Sequence, residues 1–126
     1  MIQEAYEALS RGDLEAWLAT TTPNVELHEV AEVPDSRAYR GHQEVTEWAE
    51  SMLQLVSEWR WTPEELLASD GDTLVVRASV TGQSRAGLPI DLSVFHVFRM
   101  NGGNKVSSMR GFFDRSSALK AAGLSD

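Results

Sequence analysis

QEVTEWAESMLQLVSEW, residues 43–59, carries Val45, Trp48, Ala49, Met52, Val56 and Trp59 at three- and four-residue steps. That spacing predicts one long helix with a wide apolar stripe, which must cover something flat. The flat partner lies downstream. DTLVVRASVTG (72–82) and PIDLSVFHVFRM (89–100) alternate as strands and are joined by QSRAGL, and KVSSMRGFFD (105–114) follows the turn NGG. Residues 60–69 read as a weaker strand, because Pro63 and the Glu-Glu-Leu-Leu run fit a helical turn equally well. A short helix over about 115–122 ends at Gly123.

Upstream, Ile2, Ala5, Tyr6 and Leu9 form one stripe of a helix over 2–10, which Gly12 stops. Asp13 is the expected N-cap of a second helix, DLEAWLAT, and Pro23 and Asn24 end this helical hairpin. VELHEV (25–30) then alternates, with Val25, Leu27 and Glu29 on one face and Glu26, His28 and Val30 on the other. Residues 31–41 read as a loop. The order is helix, helix, strand, long helix and a run of strands, which implies an α+β fold in one domain over 1–126. The expected shape is a cone: a curved, mostly antiparallel sheet around the long helix, with a small-molecule pocket inside.

Composition narrows the function. The chain has 126 residues, 42% of them hydrophobic, with four tryptophans, enough for one core. It has no cysteine, which excludes thiol catalysis and Cys-based metal sites. The net charge of −8, without a basic cluster, excludes a nucleic-acid footprint. No apolar run has the length of a membrane span, and no signal peptide opens the chain, so a cytoplasmic protein is expected. His28, His42 and His96 show no ligand spacing, so neither metal nor organic cofactor is expected.

One residue interrupts the strand pattern. In DLSVFHVFRM (91–100) the even positions are Leu92, Val94, His96, Phe98 and Met100, so an imidazole sits on an apolar face. Two readings stand. His96 is a core histidine satisfied by a carbonyl or hydroxyl, or it lines a pocket as a hydrogen-bond donor or an acid. Glu29 likewise is either a solvated strand-end carboxylate or a general base, since an apolar wall disfavours the charged form of a carboxyl.

The order of elements resembles the nuclear-transport-factor-2-like superfamily, which includes ketosteroid isomerases, SnoaL-like polyketide cyclases, limonene-epoxide hydrolases and scytalone dehydratases. RGDLEAW is similar to its helix-hairpin signature, YRGHQEVTEW to the opening of its long helix, and HVFRM…NKVSSMRGFFD to its last two strands. Set against ketosteroid isomerases, the resemblance implies that Glu29 takes the place of the general-base aspartate and His96 that of the oxyanion-hole aspartic acid. The oxyanion-hole tyrosine is unmatched, because Ala5 falls there, one residue before Tyr6. Epoxide hydrolases and SnoaL-like cyclases of this fold carry an aspartate six residues after the lysine of the last strand, where this chain has Gly111. Epoxide hydrolysis is therefore disfavoured.

On this resemblance the chain is expected to be a small cofactor-independent acid/base enzyme. It would act on a hydrophobic cyclic or polyketide-like carbonyl compound, with Glu29 as base and His96 as oxyanion donor or acid. The alternatives are a non-catalytic binder of a hydrophobic small molecule and a dimerisation domain with a filled core. The expected pocket lining is Trp17, Leu27, Tyr39, Trp48, Met52, Phe98, Met109, Gly111 and Phe113. Gly111 is either a bend in a curved sheet or a space in the pocket. Phe95 and Val97, on the other face of their strand, have no obvious helix above them, and the resemblance implies a homodimer through that face.

Overall fold

The computed structural model describes residues 2–30, 36–101 and 104–124. Two helices, α1 (Ile2–Arg11) and α2 (Leu14–Leu18), lead into β1 (Thr21–His28). Then come β2 (Ala38–Arg40), α3 (Gly41–Leu55), β3 (Val56–Asp70), β4 (Thr73–Ser84), β5 (Pro89–Met100), β6 (Val106–Phe112) and α4 (Arg115–Ala121). The strands form one six-stranded sheet in the order β2-β1-β6-β5-β4-β3. Every neighbouring pair is antiparallel except β1 and β6. The fold is α+β, as the element order implied. No helix among the described residues is long and apolar enough to cross a membrane.

Local chemistry explains most boundaries. Asp13 caps α2 by accepting a hydrogen bond from the Ala16 amide at 3.1 Å. Asp114 caps α4, accepting from the amide and hydroxyl of Ser117, both at 2.9 Å. These bonds hold the Asp114 carboxyl below the usual carboxylate range. The inner core joins α1, α2 and α3 to the concave face of the sheet through Leu9, Trp17, Val45, Trp48, Val76 and Val94.

Four expectations need correction. The long helix ends at Leu55, and Val56–Trp59 begin β3 instead. Val56 already has extended backbone (φ −128°, ψ 124°), as suits a β-branched residue. Trp59 keeps its inward direction because strand alternation happens to continue the helical spacing. Residues 60–69 are strand, as read, and Pro63 is tolerated because β3 is the sheet edge. β1 starts at Thr21 and ends at His28, so Pro23 and Asn24 lie within it and Glu29 just beyond it. The loop expected over 31–41 holds β2; its residues 31–35 are outside the described residues, as are Gly102 and Gly103 of the NGG turn.

The fourth correction concerns the convex face. Phe95 and Val97 do have a helix above them. α4 folds back over the sheet, and Ala118 and Leu119 join Val75, Val97 and Phe112 in a second core, with Phe95 packed at its side. Val97 is 2% exposed as a result. Arg77 stands outside this core and pairs with Glu64 (3.2 Å) and Glu65 (3.4 Å).

The passage from α3 into β3 is tight. Glu58 adopts φ 53°, a left-handed conformation that is uncommon for a residue with a side chain. The pairing of β3 with β4 shifts register between Ser57 and Arg60. Gly82 on β4 sits beneath this crossing. A Cβ there would lie 2.7 Å from Val56 Cγ1 and 2.9 Å from the Ser57 carbonyl oxygen, so only glycine fits.

Candidate functional site

The concave side of the sheet is not filled. A cavity of about 280 Å³ opens between α3, the end of β1 and strands β3–β6. Its wall is mostly apolar, built from residues such as Leu27, Trp48, Met52, Trp59, Val80 and Met109. Leu92 and Phe113, 46% and 43% exposed, also border the cavity. Among the described residues, three titratable ones line it: His28, Glu29 and His96. His28, expected to face away, turns its ring toward Glu26 (Nε2 to Oε1, 3.4 Å). The Arg40 guanidinium and this imidazole hold the Glu26 carboxyl below its ordinary range.

His96 is 2% exposed. Its Nδ1 lies 2.6 Å from the hydroxyl oxygen of Tyr6, which α1 delivers from ninety residues away in sequence. The Trp61 ring stacks on the imidazole (centroids 5.3 Å apart, planes 23° apart), and Phe98 meets it at 5.8 Å and 66°. Burial disfavours the imidazolium and pulls its pKa down to about 3, so the ring is neutral at pH 7. Burial also pushes the Tyr6 phenol above its ordinary range, so it keeps its proton.

Glu29 is half-buried at the mouth. Its backbone N–H donates to the Arg37 carbonyl at 3.0 Å, and its carboxylate accepts from the Arg37 amide at 2.9 Å. Sheet register relates it to His96. His28 pairs with Arg110 across the parallel β1–β6 ladder, and His96 pairs with Gly111 across β5–β6. Continuing that register puts Glu29, Gly111 and His96 in one row over three strands. With neighbouring strands about 4.8 Å apart, their backbones stand about 10 Å from each other.

Gly111 borders the cavity, one of its two expected roles. The β5–β6 register shift falls between Arg99 and Met100, so Gly111 marks no bulge. The space it leaves is used by the protein itself: a Cβ at Gly111 would meet Val30 Cγ2 at 2.9 Å. Gly111→Ala is expected to push Val30 into the cavity and disturb the adjoining Glu29. Stability should fall by about 1–3 kcal/mol, while ligand binding at the cavity weakens more than tenfold. Urea unfolding beside ligand titration would measure both.

Of the other residues expected at the pocket, Leu27, Trp48, Met52, Met109 and Phe113 border the cavity. Trp17, Tyr39 and Phe98 stand elsewhere. Trp17 and Phe98 face a void of about 20 Å³ deeper in the core. Tyr39 pairs with Leu27 on the far side of β1, its ring under the Arg37 guanidinium at 5.4 Å. Tyr6, Trp59 and Trp61 were not singled out for the site. Signals for them exist: Tyr6 is the one hydroxyl on the apolar stripe of α1, and Trp-Arg-Trp at 59–61 has strand periodicity.

This architecture can be compared with known proteins. The model of the SnoaL-like domain family matches residues 2–109. The chain belongs to that family. No curated protein matches the sequence. Among solved structures, the SnoaL-like chain is similar to a nuclear-transport-factor-2-like protein of unknown function from Burkholderia pseudomallei. They share 26% identity and a TM-score of 0.77 over 96% of this chain and 93% of that one. RV0760c from Mycobacterium tuberculosis, solved in complex with estradiol-17beta-hemisuccinate, shares 18% identity and a TM-score of 0.78 over 90% and 91%. The Delta 5-3-ketosteroid isomerase from Mycobacterium sp. shares 17% identity and a TM-score of 0.76 over 90% and 89%. The last two establish a common fold with this SnoaL-like domain.

Proposed function

We propose that this SnoaL-like protein is a small, cofactor-independent acid/base enzyme acting on a hydrophobic cyclic or polyketide-like carbonyl compound. One observation carries the reading: Glu29 and His96 border the same predominantly apolar cavity. In the proposed reaction, Glu29 takes a proton from the carbon next to a carbonyl. The C–H bond breaks, an O–H bond forms on Glu29, and the electron pair moves onto the carbonyl oxygen. His96 steadies that oxygen by a hydrogen bond in a site with little water, where such a bond counts most. Isomerisation, intramolecular aldol cyclisation and dehydration all begin with this step. The estradiol derivative bound by RV0760c supports a ligand of this apolar, ring-built kind. The reading has the protein acting in the cytoplasm, and two copies pairing through the part of the convex face outside α4.

The test is proton exchange in heavy water. Cyclic ketones, 3-ketosteroids and aromatic polyketide fragments would be incubated with wild type and with Glu29→Gln, and deuterium alpha to the carbonyl read by mass spectrometry. Protein-dependent exchange is expected for at least one class, falling about 10²–10⁴-fold in Glu29→Gln. Absence of exchange across the panel would overturn the reading and favour a non-catalytic binder.

A further inference from the structure

We infer that Tyr6 is a positioning residue that holds His96 as a neutral ring with its proton on Nε2, so that His96 gives a hydrogen bond to the ligand without giving up a proton. The inference rests on the proposed acid/base reading and specifies how the two residues on the cavity divide the work.

The short contact between Tyr6 Oη and His96 Nδ1 allows two placements of one hydrogen. If Nδ1 carries it and donates to the phenol oxygen, the phenol's own O–H is left without an acceptor among the described contacts, deep in the core. If the phenol donates, the Nδ1 lone pair is filled and the ring proton moves to Nε2. Each placement leaves one donor without a protein partner, the phenol O–H in the first and Nε2–H in the second. Of the two residues only His96 lines the cavity, where water or a ligand can accept, and its Nε2 is not among the fully buried polar atoms left without a partner. The second placement therefore prevails. It leaves Nε2–H as the ring donor without a protein partner among the described contacts, on a residue that lines the cavity.

The ring is held as well as protonated in one way. Tyr6 and Ser10 stand four residues apart, on one face of α1. Ser10 accepts from the Trp61 amide at 2.8 Å and donates to the Trp61 carbonyl at 3.1 Å. It thereby anchors the strand residue whose indole stacks on His96. One helix thus fixes the imidazole from behind and also fixes the plate beside it. Among the described residues, the side chains in contact with the imidazole, Tyr6, Trp61 and Phe98, are aromatic and uncharged. A proton lifted from substrate then resides on Glu29 and returns from Glu29, while His96 supplies only the hydrogen bond to the oxyanion.

The test is ¹⁵N NMR of the histidine-labelled, ligand-free protein at neutral pH. Wild type is expected to show a pyrrole-type Nε2 and a pyridine-type Nδ1 at His96. In Tyr6→Phe the two resonances should move toward each other as the proton redistributes. An Nδ1–H tautomer or an imidazolium in wild type would overturn the inference, and so would a tautomer unchanged in Tyr6→Phe. The wild-type spectrum decides alone if that variant does not fold. No substrate enters the measurement, so its outcome is separate from that of the exchange panel. On a ketone that does exchange, Tyr6→Phe should lower the maximal rate at least tenfold and leave the half-saturating concentration within about twofold.

Discussion

Acidification from about pH 7 to about pH 4.5 is expected to cost wild type about 2–3 kcal/mol of folding stability through His96 alone. In the unfolded chain the imidazole titrates near its ordinary value of 6.5, and in the fold burial keeps it neutral down to about 3. Between those limits the unfolded state binds one more proton than the native state. Stability is complete above about pH 6.5 and falls by about 1.4 kcal/mol for each unit of acidification, levelling off near pH 3. Glu26 and Asp114, whose carboxyls titrate below their ordinary range, weaken the fold in acid in the same direction. Their contribution is common to wild type and His96→Phe and cancels in the difference. Urea unfolding of the two proteins across this range should therefore give curves that converge toward acid. Parallel curves would mean that His96 is charged in the native state, or solvated.

The second large effect is the coupling between Tyr6 and His96. Tyr6→Phe leaves a buried imidazole nitrogen unmatched, and His96→Phe leaves a buried phenol unmatched. Each should cost about 1–3 kcal/mol near pH 7. The double variant removes both polar groups and replaces them with rings of similar shape, a change that is often nearly neutral. With the double variant near neutral, the coupling approaches the sum of the two single costs, about 2–6 kcal/mol, read from urea midpoints at constant slope. Strict additivity would contradict the 2.6 Å contact. His96→Phe alone should stay folded yet lose about 10²–10³-fold in exchange rate, the usual cost of removing one oxyanion donor. A histidine serving only the core would lose stability and leave chemistry untouched.

The helices and strands were legible because apolar periodicity is a local property. Capping by Asp13 and the alternation of 89–100 are carried by residues close together in the chain. The α3–β3 junction was not legible. Val56 and Trp59 satisfy a helical stripe and a strand face equally well, and the choice between them is made where the chain crosses Gly82, in contact with a different strand. The cover supplied by α4 was hidden for a similar reason. A seven-residue helix shows apolar residues, but not which side of a sheet it will fold onto. Within the site, the oddity of His96 was visible, and so was the alternation that put Glu29 on the inner face. The Tyr6 bond was not, since ninety intervening residues have to fold before it exists. Nor was the use of Gly111 by Val30, which depends on a parallel β1–β6 contact that no local pattern announces.

All four tryptophans belong to one connected cluster on the concave side. Trp48 stands 6.1 Å from Trp17, 6.4 Å from Trp59 and 6.3 Å from Trp61, and the last two are 4.8 Å apart. Indoles this close exchange excitation faster than they emit, so the four chromophores behave optically as a unit. Three of them, Trp48, Trp59 and Trp61, form part of the cavity wall. The protein thus carries its own lamp around its binding site: a molecule that enters should alter the emission and the near-ultraviolet dichroism of the whole set, without any added label.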